Sequence, residues 1–493
     1  MVNLSKKPVF IAIDVGATSL KIVPSLIEDD LIKPLPYSSI KNYPLVCKDI
    51  EYVDINLIIS SVVMEIQKLS NSFQIISIGI DTYGNGYGFI SSEGVVIQDP
   101  YYYRDRRVDN IWTNINRIYT KRELYDLFGN FPIKTRGLFH LYQDRLDNDK
   151  ALMPGNVILP LPNLLEYILT SKIGAEKTIA SVLYFLNLEG NNWNYPVFKK
   201  MSIPIEILPS LHDGGEVLGY VKRALIPDIK GEMPLVVRVI GHDTESALAS
   251  VSCLNEKSLF LSLGTSFILG TRIHTPIVND VSYQYRFKNM KGEKGWYSLC
   301  KDFPGFWIFE RCIELWNEDK NHLSYEYLCE QAKNVTENDT YLDISDDIFR
   351  ISEINILSVI HKYCIDTHQK FPKEIGSMTQ CLFESYCLYI RWNIEKLKKI
   401  TKSNYTVLYA LNGGVKNSYL MQMLADCIQI EVHAESSIAS AIGNLSVQYQ
   451  TIFGKDGVFE SFETIYYPKE ERRWNEKYYS FINRGILEEE KDG

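Results

Sequence analysis

Phe10-Ile-Ala-Ile-Asp-Val-Gly-Ala-Thr-Ser-Leu-Lys21 carries the pattern on which the architecture turns. Val9 to Ile13 is a continuous apolar run, Gly16-Ala17-Thr18-Ser19 is turn-forming, and Leu20 to Ser25 resumes a strand-like pattern, so the segment reads as a β-hairpin. Its turn brings together a carboxylate, a glycine, two hydroxyls and a cation. Gly16 lets backbone amides approach phosphate oxygens, Thr18 and Ser19 donate, Lys21 neutralises charge, and Asp14 suits a hydrated Mg²⁺. A single Asp-x-Gly turn is more often a turn and nothing else. The weight comes from a second copy.

That copy is Leu259-Phe-Leu-Ser-Leu-Gly-Thr-Ser266, followed by the strand-like Phe267 to Arg272. Gly16 and Gly264 stand about half of the 493-residue chain apart, a spacing that predicts two related domains, each opening with strand, phosphate-sized turn and strand. Gly264 and Thr265 then close on a nucleotide from the second domain. Between the copies, Ile75 to Ile80 reads as a buried strand leading into the Gly-rich Asp81-Thr-Tyr-Gly-Asn-Gly-Tyr-Gly88. Later, Val407 to Leu411 reads as a strand, Asn412-Gly-Gly-Val-Lys-Asn417 as a turn, and Leu420, Leu424, Cys427 and Ile428 as one face of a helix. A helix is also predicted around Ser377 to Lys398. Gly413, Gly414 and Asn417, at a strand-to-helix turn, offer free amides to a nucleotide; the bland alternative is glycine used for conformation alone. Strands alternating with helices in both halves predict α/β domains with mixed sheets around a cleft. The expected boundaries are 1–250, 251–455 and a peripheral, charged C-terminal segment, 456–493.

Asp243 carries the predicted chemistry. The apolar run ending in Gly241-His242-Asp243-Thr244 delivers a carboxylate to a strand tip, and phosphoryl transfer needs positioning, charge neutralisation and a proton acceptor. The bland alternative is that Asp243 caps a helix beginning near Thr244. A base beside two phosphate-sized turns points to a kinase.

The bulk properties narrow the class. A net charge of -9 and a pI near 5.6 argue against a nucleic-acid or anionic-membrane surface. Nine cysteines without Cys-x-x-Cys spacing read as reduced thiols rather than a zinc site or disulfide framework. Neither a signal peptide nor a spanning segment is read in the chain, so a cytoplasmic protein is expected. The P-loop signature is absent, and Gly84-Asn-Gly86-Tyr-Gly88 has the wrong spacing for a dinucleotide fingerprint.

Taken in order, Asp14-x-Gly16-Ala-x-Ser19, Gly79-Ile-Asp-Thr-Tyr-Gly84, Tyr103-Arg-Asp-Arg-Arg-Val-Asp109, Gly241-His-Asp-Thr244, Gly264-Thr265, Pro304-Gly-Phe-Trp307, Gly413-Gly414 with Asn417, and Ala441-Ile-Gly-Asn444 resemble the FGGY carbohydrate kinases, nearest the rhamnulokinase branch. The resemblance implies two ribonuclease-H-like domains of the actin and hexokinase type with ATP and sugar in the interdomain cleft. It implies transfer of the γ-phosphoryl group to a ketose, L-rhamnulose at its 1-hydroxyl before L-fuculose, xylulose or ribulose. By position, Asp243 is the base, Asp14 the Mg²⁺ anchor, Thr18, Ser19, Lys21, Gly264 and Thr265 phosphate contacts, and Gly413, Gly414 and Asn417 the adenosine border. Tyr83, Asn85, Tyr103 and His242 are the candidate sugar contacts. Departures fall on the sugar side, at Tyr83 to Gly86 and at Phe139-His140. Partners are then a ketose and ATP, with no nucleic acid or membrane, in a monomer or homodimer. A non-catalytic nucleotide- or sugar-binding sensor and an actin-like ATPase are the rival classes.

Overall fold

The computed structural model describes residues 6–229, 231–318, 323–350, 355–459 and 464–484, without the side chain of Arg350. The opening hairpin forms as Lys7–Val15 antiparallel to Ser19–Glu28, with Asp14 opposite Lys21. Every residue from Val9 to Val15 is buried, as an apolar run covered on both faces must be. Phe73–Thr82 lies parallel beside the first strand, with Asp14 opposite Asp81, and Leu235–Arg238 lies parallel beside that. Glu216–Tyr220 and Leu31–Pro34 extend the sheet on either side.

The second half repeats this plan. Ser258–Leu263 and Ser266–Ile273 form the antiparallel hairpin, Tyr297–Pro304 continues it antiparallel, and Val407–Leu411 and Glu431–Ala434 add parallel strands on the other side. The two sheets thus share one order of antiparallel and parallel neighbours. Each has its own apolar core, and a third cluster fills the insertion that includes Val108, Phe139, Tyr184 and Phe198. The predicted helix around 377–398 runs Ile375–Thr401, and its buried residues lie on all sides because it threads the second core.

The expected boundaries need one correction. Over its described part the segment 456–493 is built into the fold: Val458–Phe459 pairs with Leu31–Ile32 of the first sheet, and Thr464–Tyr466 pairs with Val432–Ala434 of the second. Helix Glu471–Asn483 buries Trp474 and Phe481 in the second core. The charged stretch from Glu488 that suggested a loose end lies outside the described residues. Helix Ala439–Phe453 also packs against the first sheet, through Ala441, Leu445 and Tyr449 on Phe10, Ala12 and Val23.

Candidate active site

Three carboxylates meet because three parallel neighbours end together. Asp14 and Asp81 are register partners, and Gly241-His242-Asp243 extends the next strand: Thr82 N donates to Gly241 O at 2.9 Å and Thr82 bridges His242. The carboxyl ends of parallel strands are where such sheets bind ligands. The turn at 241–243 is held from below by buried Glu176, whose Oε2 accepts from Gly241 N at 3.1 Å and from Thr178 Oγ1 at 2.6 Å.

Burial, then the nearby Asp14, pushes the Asp243 carboxyl up to about 7, against hydrogen bonds from Thr244 and the charge of Lys21. Asp243 keeps 30 % of its side chain open to the cleft, so solvent tempers that rise. Its Oδ1 accepts from Thr244 N at 2.6 Å, and the residue opens helix Asp243–Ala249. The helix is capped by His242 without a side-chain bond, so Asp243 is its first residue rather than its N-cap. His242 Nε2 lies 3.5 Å from Asp243 Oδ1, but burial and then the charges of Lys288 and Arg136 lower the imidazole to about 3, leaving it neutral. Asp81 is fully buried; burial and then Asp14 raise its carboxyl well above the ordinary value, and its Oδ1 has no partner. Lys21 Nζ donates to Asp14 Oδ2 at 3.0 Å. Burial opposes the lysine's charge, yet Asp14 outweighs it and the ammonium is raised.

A cleft of about 760 Å³ opens between the halves, lined by Asp14, Lys21, Asp243, Gly264, Thr265 and the turn at 413–417. The two hairpin turns face each other across it. The second turn is pinned from behind: Thr265 O accepts from Gly305 N at 3.0 Å and Trp307 N at 3.1 Å. Gly414 is packed so tightly that an added Cβ would sit 2.5 Å from Leu263 Cβ, whereas one at Gly413 would meet nothing. Asn417 caps helix Ser418–Ile428 through Oδ1 and leaves Nδ2 without a partner. Tyr325, Glu326 and Cys329, from a helix that the sequence reading did not use, line the same end. Thr18 and Ser19 are not part of this lining; their carbonyls shape the turn by accepting from Asn42 N and Gly16 N.

The candidate sugar residues gather on the other side of Asp243. The Tyr83 and Tyr103 rings are tilted against each other with centroids 5.4 Å apart, and Gly84 approaches His242. Tyr83 Oη, Asn85 Oδ1 and His242 Nδ1 are buried without partners. Tyr103 lines a neighbouring cavity of about 500 Å³ whose wall includes Thr265, which also lines the larger cleft. Sequence reasoning missed Asp81 as a third carboxylate, since it looked like one residue of a Gly-rich turn. Its register with Asp14 was the signal.

Similar proteins run the length of the chain. A rhamnulokinase of Bacteroides thetaiotaomicron is 29 % identical over 489 residues, covering 96 % of this chain and 99 % of that one. A rhamnulokinase of Ligilactobacillus salivarius is 27 % identical with the same coverage. In fold, the chain is similar to Plasmodium falciparum glycerol kinase with ADP (TM-score 0.78, 14 % identity, 99 % and 100 % of the two chains) and to ligand-bound xylulose kinase from Lactobacillus acidophilus (TM-score 0.76, 13 % identity, 97 % and 98 %). These two likenesses speak to the fold alone: two α/β domains of the actin and hexokinase type. Residues 9–250 match the N-terminal domain, and residues 259–450 the C-terminal domain, of one family. With duplicated sheets, facing turns and matches across both halves, the chain belongs to the FGGY family of carbohydrate kinases.

Proposed function

We propose that this sugar kinase transfers the γ-phosphoryl group of ATP to a hydroxyl of a ketose, with L-rhamnulose the first acceptor and L-rhamnulose 1-phosphate its product. The observation that carries the chemistry is Asp243 opening into the same cleft as Lys21 and both phosphate-sized turns. The choice of acceptor rests on likeness to the rhamnulokinases.

The acceptor hydroxyl gives its proton to Asp243 while its oxygen forms a bond to the γ-phosphorus. The bond from that phosphorus to the bridging oxygen breaks, and ADP leaves with the electron pair. A carboxyl lifted toward 7 is a stronger base than an ordinary aspartate, about half ionised at neutral pH and fully so at alkaline pH. The neutral His242 donates or accepts a hydrogen bond without competing for the proton. Lys21 offsets phosphate charge, the amides at Gly264 and Thr265 hold phosphate oxygens from the second domain, and Gly413, Gly414 and Asn417 border adenosine.

Mg²⁺ fits the carboxylate side of the cleft. Asp14 points into it and Asp81 has an unfilled oxygen behind, and Mg²⁺ bound with nucleotide takes one or two carboxylates, waters and phosphates. Asp14 would hold it through water, and the ion would supply charge neutralisation on the phosphates. Acceptor-dependent ADP release across L-rhamnulose, L-fuculose, D-xylulose, L-ribulose and glycerol tests the proposal; release that no ketose increases would refute it.

A further inference from the structure

The acceptor side contains a cation that the reaction described above does not use. Arg136 is 6 % exposed and its Nε is buried without a hydrogen-bond partner. Its guanidinium lies 5.3 Å from the Tyr184 ring, and no carboxylate among the described residues forms an ion pair with it. Three nearby cations are matched, Lys288 with Asp302 at 2.7 Å, Lys134 with Asp109 at 2.5 Å and Arg107 with Asp105 and Asp144, while Arg104 lies over the Tyr103 ring on the wall of the neighbouring cavity. A buried guanidinium with an unfilled donor is costly. A ligand oxygen would fill the open donor.

The chain segment at 182–184 ties Arg136 to the sugar residues. Gly84 packs so closely on Val182 that a Cβ would stand 2.6 Å away, with His242 Nε2 next at 3.6 Å. Gly137 packs in the same way on Leu183, at 2.3 Å, and Tyr184 carries Arg136. The orphaned Tyr83 Oη and Asn85 Oδ1 belong to the residues on either side of Gly84, His242 Nδ1 to its other neighbour, and Arg136 Nε to the residue before Gly137, so two close glycine contacts set these groups against the consecutive residues Val182 and Leu183. Thr135, the preceding residue, lines the cavity that shares Thr265 with the nucleotide cleft. Burial, then Lys288 and then Arg136, keeps His242 weakly basic.

We propose that Arg136 is an acceptor-binding, specificity-determining residue, its guanidinium donating to sugar oxygens away from the hydroxyl that Asp243 deprotonates. A planar fork of donors matches adjacent oxygens in a way an ammonium does not. This assignment rests on the kinase reading above.

The test is steady-state kinetics of full-length Arg136→Met and Arg136→Lys on the parent's best ketose, with thermal unfolding alongside. Arg136→Met raises the acceptor KM about tenfold or more, the loss of a charged hydrogen bond, while the KM for ATP stays within about twofold. Arg136→Lys recovers part of the loss, since charge returns without the fork. An unchanged acceptor KM in a folded Arg136→Met protein overturns the assignment, as does a rise in both KM values together with a fall in Tm. A parent that releases no ADP with any ketose counts against the kinase reading, and this assignment falls with it.

Discussion

Asn444 Nδ2 donates a 2.7 Å hydrogen bond to Asp81 Oδ2 from 363 residues away. Both groups are fully buried, and Asn444 Oδ1 in turn accepts from Gln448, whose Nε2 also donates to Ile11 O. Helix Ala439–Phe453 therefore fastens the carboxylate strand to the strand that carries Asp14.

Asn444→Leu removes the donor and leaves Asp81 with both oxygens unpaired. A buried acceptor stripped of its partner costs about 1–3 kcal/mol. Chemical denaturation should show that loss, and Asn444→Ala should fare no better because it opens a void as well.

The pH profile follows from Asp243. Burial and Asp14 raise its carboxyl to about 7, and the base works ionised, so kcat/KM for the acceptor should fall as pH drops below about 7, with a slope of one proton. Stability has the opposite sign. A carboxyl held higher in the folded state than in the unfolded state favours folding at low pH, and that contribution is lost as pH rises from about 4 through about 7. Asp243→Asn should therefore raise Tm relative to the parent at pH 8 and gain less at pH 5.

Lys21→Met addresses the phosphates. The lysine faces Asp14 across the hairpin, and removing it takes away the cation proposed to meet the phosphates and leaves Asp14 unbalanced. The KM for ATP should rise about tenfold or more, with the acceptor KM nearly unchanged. Initial rates with each substrate varied in turn would separate the two.

Gly443→Ala probes the crossing of the two central helices. An added Cβ would stand 1.7 Å from Ser246 O, and Ser246 Oγ already donates to Ser440 O at 2.9 Å. Backbone cannot yield as a side-chain tip does, so the substitution should cost about 1–3 kcal/mol or more. A Tm equal to the parent's would mean the helices can part freely.

The hairpins were legible because their signal is local: apolar run, Gly-rich turn, apolar run, twice. The helix at Ile375–Thr401 and the strand at Val407–Leu411 were legible for the same reason. Gathering Asp14, Lys21, Asp243, Gly264, Thr265 and the 413–417 turn on one cleft needed the duplication as well as the local signals. What escaped depends on distant pairing. Asp81 gains its place from register with Asp14, Arg136 from packing through Leu183 and Tyr184, and Val458–Phe459 from an edge at Leu31. No periodicity within those segments reports their partners, and two strand residues bounded by charge look like a tail until the edge they complete is known.

The most direct measurement is acceptor-dependent ADP release by the parent and by Asp243→Asn on the best ketose of the panel. Loss of the proton acceptor should lower kcat by about a hundredfold or more, while the KM for ATP stays near the parent's. An Asp243→Asn enzyme as fast as the parent would leave that carboxylate no more than a first-turn helix residue and contradict the account.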